Sequence, residues 1–384
     1  MKSKAIEMKI LFITQIYPIN PKKQSPDKRL ALHYYVREWI KTHEIEVIRL
    51  HNFPFWYAWI FPFLGYPKKY DIDGVQVHNK LVIKYAYLKR NFFFIRRFVR
   101  NSFHDVTIAH IPDSLMAAAY LKRKFGIPYV AGIQKTDYKK SGLKASGSIQ
   151  PFFKHLLEEA MMVAFWSDFL KSEFLQSMPS IAHKSIDMPG GITADWLGQS
   201  SGFKNWKSER WNFATVARLT KQKRISTILS GFSFTPHLQS YHLIGDGPEK
   251  NALFDLSDQL GLKNQILFHG HLESDPIRDI LDQCQVMILL STNETFGLVY
   301  LEAMARGCIV IGTKGEGIDG VIRHNENGFL CESDPGALKS LIEIIKNLPA
   351  ERLEEISKSA VATALDYQYK DLAKSYLSEL EKYI

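Results

Sequence analysis

Short apolar runs alternate with longer stretches whose apolar positions fall three and four apart. Runs with the length of strands buried on both faces occur at Lys9 to Ile16, Glu44 to Leu50, Val106 to Ala109, Pro128 to Ile133 and Met162 to Trp166. They recur at Asn212 to Ala217, Tyr241 to Ile244, Ile266 to Phe268, Val286 to Leu290 and Cys308 to Ile311. Between them the period is helical. Leu32, Tyr35, Val36, Trp39 and Ile40 form one stripe, helices are predicted from Ser114 to Phe125, from Ser167 and from Glu249, and Leu298, Leu301 and Ala305 share a face before Gly307 stops the pattern. Residues 351–384 read as one or two amphipathic helices. Strand, helix and strand in units of about 25 residues predict parallel crossovers and an α/β fold.

At 384 residues and 46% hydrophobic, the chain exceeds one ordinary core and suits two domains of ~200 residues or fewer. The polar segment 198–210, GQSSGFKNWKSER, reads as the linker between a first domain over 1–197 and a second beginning at 211.

Net charge of +9 points to anionic partners such as nucleotides, phospholipid headgroups or nucleic acid, without choosing among them. No nucleic-acid motif accompanies the charge, so nucleic acid is not expected as a partner. The three cysteines lack CxxC spacing and read as buried thiols of a reducing compartment. The start, MKSKAIEMKILFITQIYP, is neither a signal peptide nor a membrane span, and the aromatic stretch 53–66, broken by Pro54 and Pro62, is too short to cross a bilayer. Residues 84–100 interleave Lys84, Lys89, Arg90, Arg96, Arg97 and Arg100 with aromatics and carry no acid. Two readings stand: a basic aromatic helix on an anionic membrane surface, or an aromatic core face with a solvated basic side. The expected location is cytoplasmic, with peripheral attachment to the inner face of the membrane under the first reading.

The chemistry concentrates in Val286 to Val310. Glu294 falls in the loop after the predicted strand and Glu302 eight residues later, in the second turn of the following helix. Thr295-Phe296-Gly297-Leu298 opens that helix, so unpaired N–H groups and the positive end of its dipole favour a phosphate there, and Gly297 lets a ligand approach the backbone. Eight helical residues span ~12 Å, beyond the ~5–9.5 Å of a glycosidase carboxylate pair. Two carboxylates that accept hydrogen bonds from the hydroxyls of one elongated ligand suit the spacing better. Either one alone reads better as a glutamate that merely complements the helix dipole. Gly315-Glu-Gly-Ile-Asp-Gly320 satisfies G-x-G-x-x-G, but too little chain separates it from Asn327-Gly328 for the helix that a dinucleotide fingerprint needs. No nucleophile stands out, and metal-ligand clusters are absent at useful places, so neither metal nor cofactor is expected.

The run from Glu294 through Phe296, Gly297, Leu298 and Glu302 to Gly307 resembles the signature of the group 1 (family 4-type) retaining, nucleotide-sugar-dependent glycosyltransferases. That resemblance covers nearly the whole chain. It implies the GT-B fold, two Rossmann-like doubly wound domains facing a cleft: 1–197 on the acceptor side, 211–355 for the nucleotide sugar, and 356–384 as a C-terminal helix returning to the first domain. It implies that Glu294 contacts the donor sugar, that Glu302 binds the ribose, and that the Phe296 to Leu298 amides meet sugar and phosphates. Arg218 and Lys223 resemble the pair that neutralises the leaving diphosphate, one as a planar fork and the other as a point charge. Gly270 and His271 correspond to the loop beside the nucleotide base, and the 315–320 loop to one that wraps the donor phosphates. Candidates on the acceptor side are Lys22 and Lys23 in a first loop lacking the family's glycines, His110, which either lines the cleft or is structural, and Gln134 and Asp137. Gln134 stands where the family usually has histidine; it exchanges hydrogen bonds but carries no charge.

The implied activity is transfer of a hexosyl-type residue from a nucleoside diphosphate sugar to a hydroxyl of a glycan or lipid-linked acceptor, with retention, in cell-surface polysaccharide synthesis. The alternatives are a nucleotide-sugar-binding subunit without transferase activity and a same-fold epimerase or phosphorylase.

Overall fold

The computed structural model describes residues 7–15, 17, 30–53, 67–83, 103–110, 112–134, 149, 151–198, 204–233 and 235–384. The chain divides into two compact units, one of Met1–Trp166, Leu170–Pro189 and Tyr369–Ile384, the other of Ser167–Phe169 and Gly190–Gln368.

The first stretch of chain supplies β1 (Lys9–Thr14), α1 (Leu30–Trp39), β2 (Glu44–Phe53), β3 (Lys69–Ile72), β4 (Val75–Ile83), β5 (Val106–His110), α2 (Pro112–Phe125), β6 (Tyr129–Ile133), α3 (Pro151–Glu159), β7 (Met162–Phe165), α4 (Asp168–Ser177) and β8 (Ser185–Asp187). Among the described residues these strands pair in the order β3-β4-β2-β1-β5-β6-β7-β8, parallel except where β3 runs against β4. Every residue of β5, β6 and β7 is buried, as strands covered by helices on both faces require. The β3–β4 hairpin has no counterpart in the sequence reading. Its turn is Asp73-Gly74 at φ 49° and 83°, the two left-handed positions of a two-residue hairpin, but β3 buries only Tyr70 and so shows no apolar run.

The second unit contains β9 (Trp211–Val216), α5 (Ile225–Phe232), β10 (Leu238–Ile244), α6 (Lys250–Gln259), β11 (Ile266–Gly270), α7 (Ser274–Gln283), β12 (Val286–Leu289), α8 (Leu298–Ala305), β13 (Ile309–Thr313), β14 (Phe329–Cys331), α9 (Pro335–Lys346) and α10 (Ala350–Asp366). Its strands are all parallel, in the order β11-β10-β9-β12-β13-β14. From β9 the chain winds outward through β10 and β11, then returns to β12 on the other side. The order therefore reverses between β9 and β12, where open parallel sheets bind ligands at their carboxyl edge. Phe213, Ile228, Leu243, Ile288, Ile311, Leu338 and Ile356 contribute to one core beneath that edge.

Two sequence assignments are corrected. Residues 204–210 are not a free linker: Lys204 is buried and donates to the carbonyls of Leu281 and Asp282, capping the end of α7, while Trp206 packs edge-on against Trp211 at 5.6 Å. The return to the first unit begins at Tyr369 rather than 356, because α10 packs on α8 and β13 in the second unit. The final helix, α11 (Tyr369–Leu380), lies against α1, where Tyr376 meets Trp39 at 5.0 Å and the Trp39 indole N–H donates to Ala373 O at 3.1 Å.

Candidate functional site

At the reversal point, β9 is followed by Ala217 and an exposed Arg218, which makes no hydrogen bond or ion pair among the described residues. The loop after β10 supports this corner. A Cβ on Gly245, at φ 131°, would lie 1.9 Å from Ala217 O, and one on Gly247 would lie 2.3 Å from Leu219 O, so the two turns approach closer than any side chain allows. The chain then makes a 3-10 turn over Lys221–Lys223 and docks on the loop after β12. Thr292 N donates to Gln222 O at 2.9 Å, and Gln222 Nε2 donates to Asn293 O at 3.3 Å.

That docking brings together two residues that the sequence assigns separately. Lys223 Nζ donates to the Glu294 carboxylate, with the side chains 12% and 15% exposed. A third group, unforeseen in the sequence, fixes the same loop: the Glu316 carboxylate accepts Asn293 N at 2.8 Å and Glu294 N at 2.9 Å. The available signal was an acid between two glycines, Gly315 and Gly317, where chain passes close to chain. A Cβ on Gly317 would lie 2.0 Å from Thr295 O.

Gly297 caps α8 in the left-handed conformation at φ 82°, and a Cβ there would meet the Tyr300 ring at 2.6 Å. Tyr300, wholly buried, donates to Leu289 O, which ties the start of α8 to the end of β12. Phe296 turns into the core against Tyr367, leaving the main chain of 295–298 as the polar part of the helix start. Glu302 follows on α8, half-buried. Beneath the loops, Ser291 Oγ, just after β12, and Thr313 Oγ1, at the end of β13, are buried without hydrogen-bond partners among the described residues. Gly270, at φ 69° with open space around it, accepts Gly245 N through its carbonyl at 2.7 Å, and His271 beside it is exposed.

In the first unit His110 is 1% exposed rather than open to solvent. Its ring lies over Gly132, where a Cβ would be 2.2 Å away, and 5.4 Å from the Phe12 ring; neither nitrogen has a partner, and burial pushes its pKa down to about 3. Gln134 is also buried. Lys22, Lys23, Asp137 and the basic aromatic segment 84–100 lie outside the described residues. Among the described residues no helix is long and apolar enough to cross a membrane, and no group of three or more His, Cys, Asp or Glu side chains could hold a metal ion.

Residues 199–362, which hold the whole of this edge, match the sequence family described as glycosyl transferases group 1. That stretch resembles group 1 glycosyl transferases. The N-acetyl-alpha-D-glucosaminyl L-malate synthase of Bacillus anthracis is 35% identical over 136 residues, 34% of this chain and 35% of that protein. The alpha-monoglucosyldiacylglycerol synthase of Acholeplasma laidlawii is 30% identical over 176 residues, 44% of this chain and 43% of that one. The chain thus aligns with well under two thirds of either relative. Its fold matches over a greater length. HepE of Anabaena, solved with UDP and glucose, superposes with a TM-score of 0.70 at 18% identity over 98% of this chain and 100% of that one. Sucrose-phosphate synthase of Thermosynechococcus elongatus gives 0.72 at 16% identity, covering 97% and 98%. The fold is GT-B, with two Rossmann-like domains.

Proposed function

We propose that the chain transfers a hexosyl-type residue from a nucleoside diphosphate sugar to a hydroxyl of a glycan or lipid-linked acceptor, with retention, in cell-surface polysaccharide synthesis. The observation that carries this reading is the meeting of the Lys223–Glu294 pair, the exposed Arg218 guanidinium and the glycine-capped start of α8 at one sheet edge. Cations and unpaired amides there suit the diphosphate. Carboxylates on either side of the helix start suit the hydroxyls of sugar and ribose.

In this mechanism Arg218, Lys223 and the amides at 296–298 hold phosphate oxygens and stabilise the charge that grows on the departing diphosphate, each donor contributing ~10²–10³-fold. Glu294 orients the sugar, whose ring becomes cation-like, and Glu302 holds the ribose. No metal takes part, so chelator leaves turnover intact. HepE of Anabaena, which shares the fold, was solved with UDP and glucose and also with UDP-glucose, which makes UDP-glucose the first donor to try. Purified chain, donor and acceptor are incubated, and nucleoside diphosphate release, product mass and the anomeric configuration of the product are read. Sugar transfer with the donor's configuration kept supports the proposal. Donor binding without product would make the chain a binding subunit, and an inverted linkage would refute retention.

A further inference from the structure

The Glu316 carboxylate is engaged in an unusual way: it faces two consecutive main-chain N–H groups, those of Asn293 and Glu294, at 2.8 and 2.9 Å. Asn293 stands at φ 59°, a left-handed conformation for a residue with a side chain. A backbone bent in this way turns successive N–H groups toward one point and forms a concave site that binds an anion. Here the anion is part of the chain. The same stretch is stitched to the Glu316 loop a second time, by Gly317 N donating to Glu294 O at 3.3 Å, and Gly317 passes so close to Thr295 that only glycine fits. Glu294 is therefore held from two sides, its main chain by the 316–317 segment and its carboxylate by Lys223.

We propose that Glu316 is a positioning residue for glycosyl transfer, which sets the place of the Glu294 carboxylate by fixing the main chain that carries it. The inference rests on the reading of Glu294 as the residue beside the donor sugar. Glu316 touches no reacting atom in this account; its charge is spent on two amides that would otherwise let the loop between β12 and α8 relax. Placement errors of about 1 Å cost up to ~10²-fold in rate, so a loop released from this clamp slows the reaction far more than it weakens a donor gripped chiefly through its diphosphate and ribose.

The test is a double-mutant cycle on the full chain, with kcat, donor KM and Tm read for Glu316→Ala, Glu316→Gln, Glu294→Gln and the pair Glu294→Gln with Glu316→Ala. Glu316→Ala should lower kcat by ~10-fold or more and change donor KM by less than ~3-fold. Glu316→Gln keeps the shape and one amide acceptor, and should fall between wild type and the alanine variant; it also carries the test if the alanine variant does not fold. The pair should be no more than ~2-fold slower than Glu294→Gln alone, because the clamp acts through that one side chain. Wild-type kcat in Glu316→Ala, or losses that multiply in the pair, would overturn the positioning role while leaving the donor site standing. Wild-type kcat in Glu294→Gln would overturn the reading of Glu294, and the role of Glu316 with it.

Discussion

A lysine ammonium resting on a carboxylate at 12% and 15% exposure is screened by little water, so each partner matters to the other more than in a surface pair. Arg218 is in the opposite position, exposed and without a hydrogen bond or ion pair among the described residues. Lys223→Ala and Arg218→Ala should therefore differ in kind. Both should lower kcat by ~10²-fold or more if they hold the leaving phosphates. Arg218→Ala should leave Tm within about 2 °C, whereas Lys223→Ala takes the ammonium away from the largely buried Glu294 carboxylate and lowers Tm further. Equal Tm values, or undiminished turnover in both, would contradict these assignments. The residues of this candidate site are legible in the sequence because Glu294 to Glu302, and Arg218 with Lys223, resemble a family pattern. The pairing is not: Lys223 and Glu294 are 71 positions apart and meet only because Gln222 docks on the loop after β12. The burial of His110 is equally hidden, since it depends on the missing side chain of Gly132 on the neighbouring strand.

At the scale of elements, one buried ion pair holds three pieces of the second unit together. Arg306, which caps α8, donates to both oxygens of Asp282 at the end of α7, at 2.7 and 2.6 Å, and to the carbonyls of Gly198 and Trp196. With only 5% and 6% of these side chains exposed, Asp282→Ala removes the carboxylate from a buried guanidinium and should cost ~3–5 kcal/mol in urea unfolding. Asp279→Ala, one turn earlier and exposed, should stay within about 0.5 kcal/mol; similar losses in both would remove the pair's special role. Elements that bury whole faces are those the sequence displays most clearly, namely the parallel strands and α1 with its stripe of Leu32, Tyr35, Val36 and Trp39. Elements that bury little, such as β3, and the docking of Lys204 and Trp206 leave no period to read. The Asp73-Gly74 turn was the one local clue to β3 and β4.

For the whole molecule, several buried or half-buried histidines are held toward the neutral form: desolvation holds His110 down to about 3 and His242 to about 4, and lowers His33, His43, His51 and His269 from 6.5. Below pH 6.5 the unfolded chain takes up protons at these positions before the folded chain does, so their contribution is intact above that pH and is lost as pH falls toward 4. Tm should drop steadily from pH 7 to 4.5, and a flat profile would contradict the neutral burial. The α/β class and its two halves are readable from the rhythm of strands and helices. The boundary within the C-terminal helices is not, because α10 and α11 are equally amphipathic and only packing assigns them to different units. The central claim is that a nucleoside diphosphate sugar binds where β9 and β12 part, and its most direct test is a thermal titration of wild type and Arg218→Ala with UDP-, GDP- and ADP-sugars. One donor series should stabilise wild type by ~2.7 kcal/mol at about 100 Kd, and Arg218→Ala should lose most of that gain at the same concentration. Absence of stabilisation by every donor, or full stabilisation of Arg218→Ala, would contradict the claim.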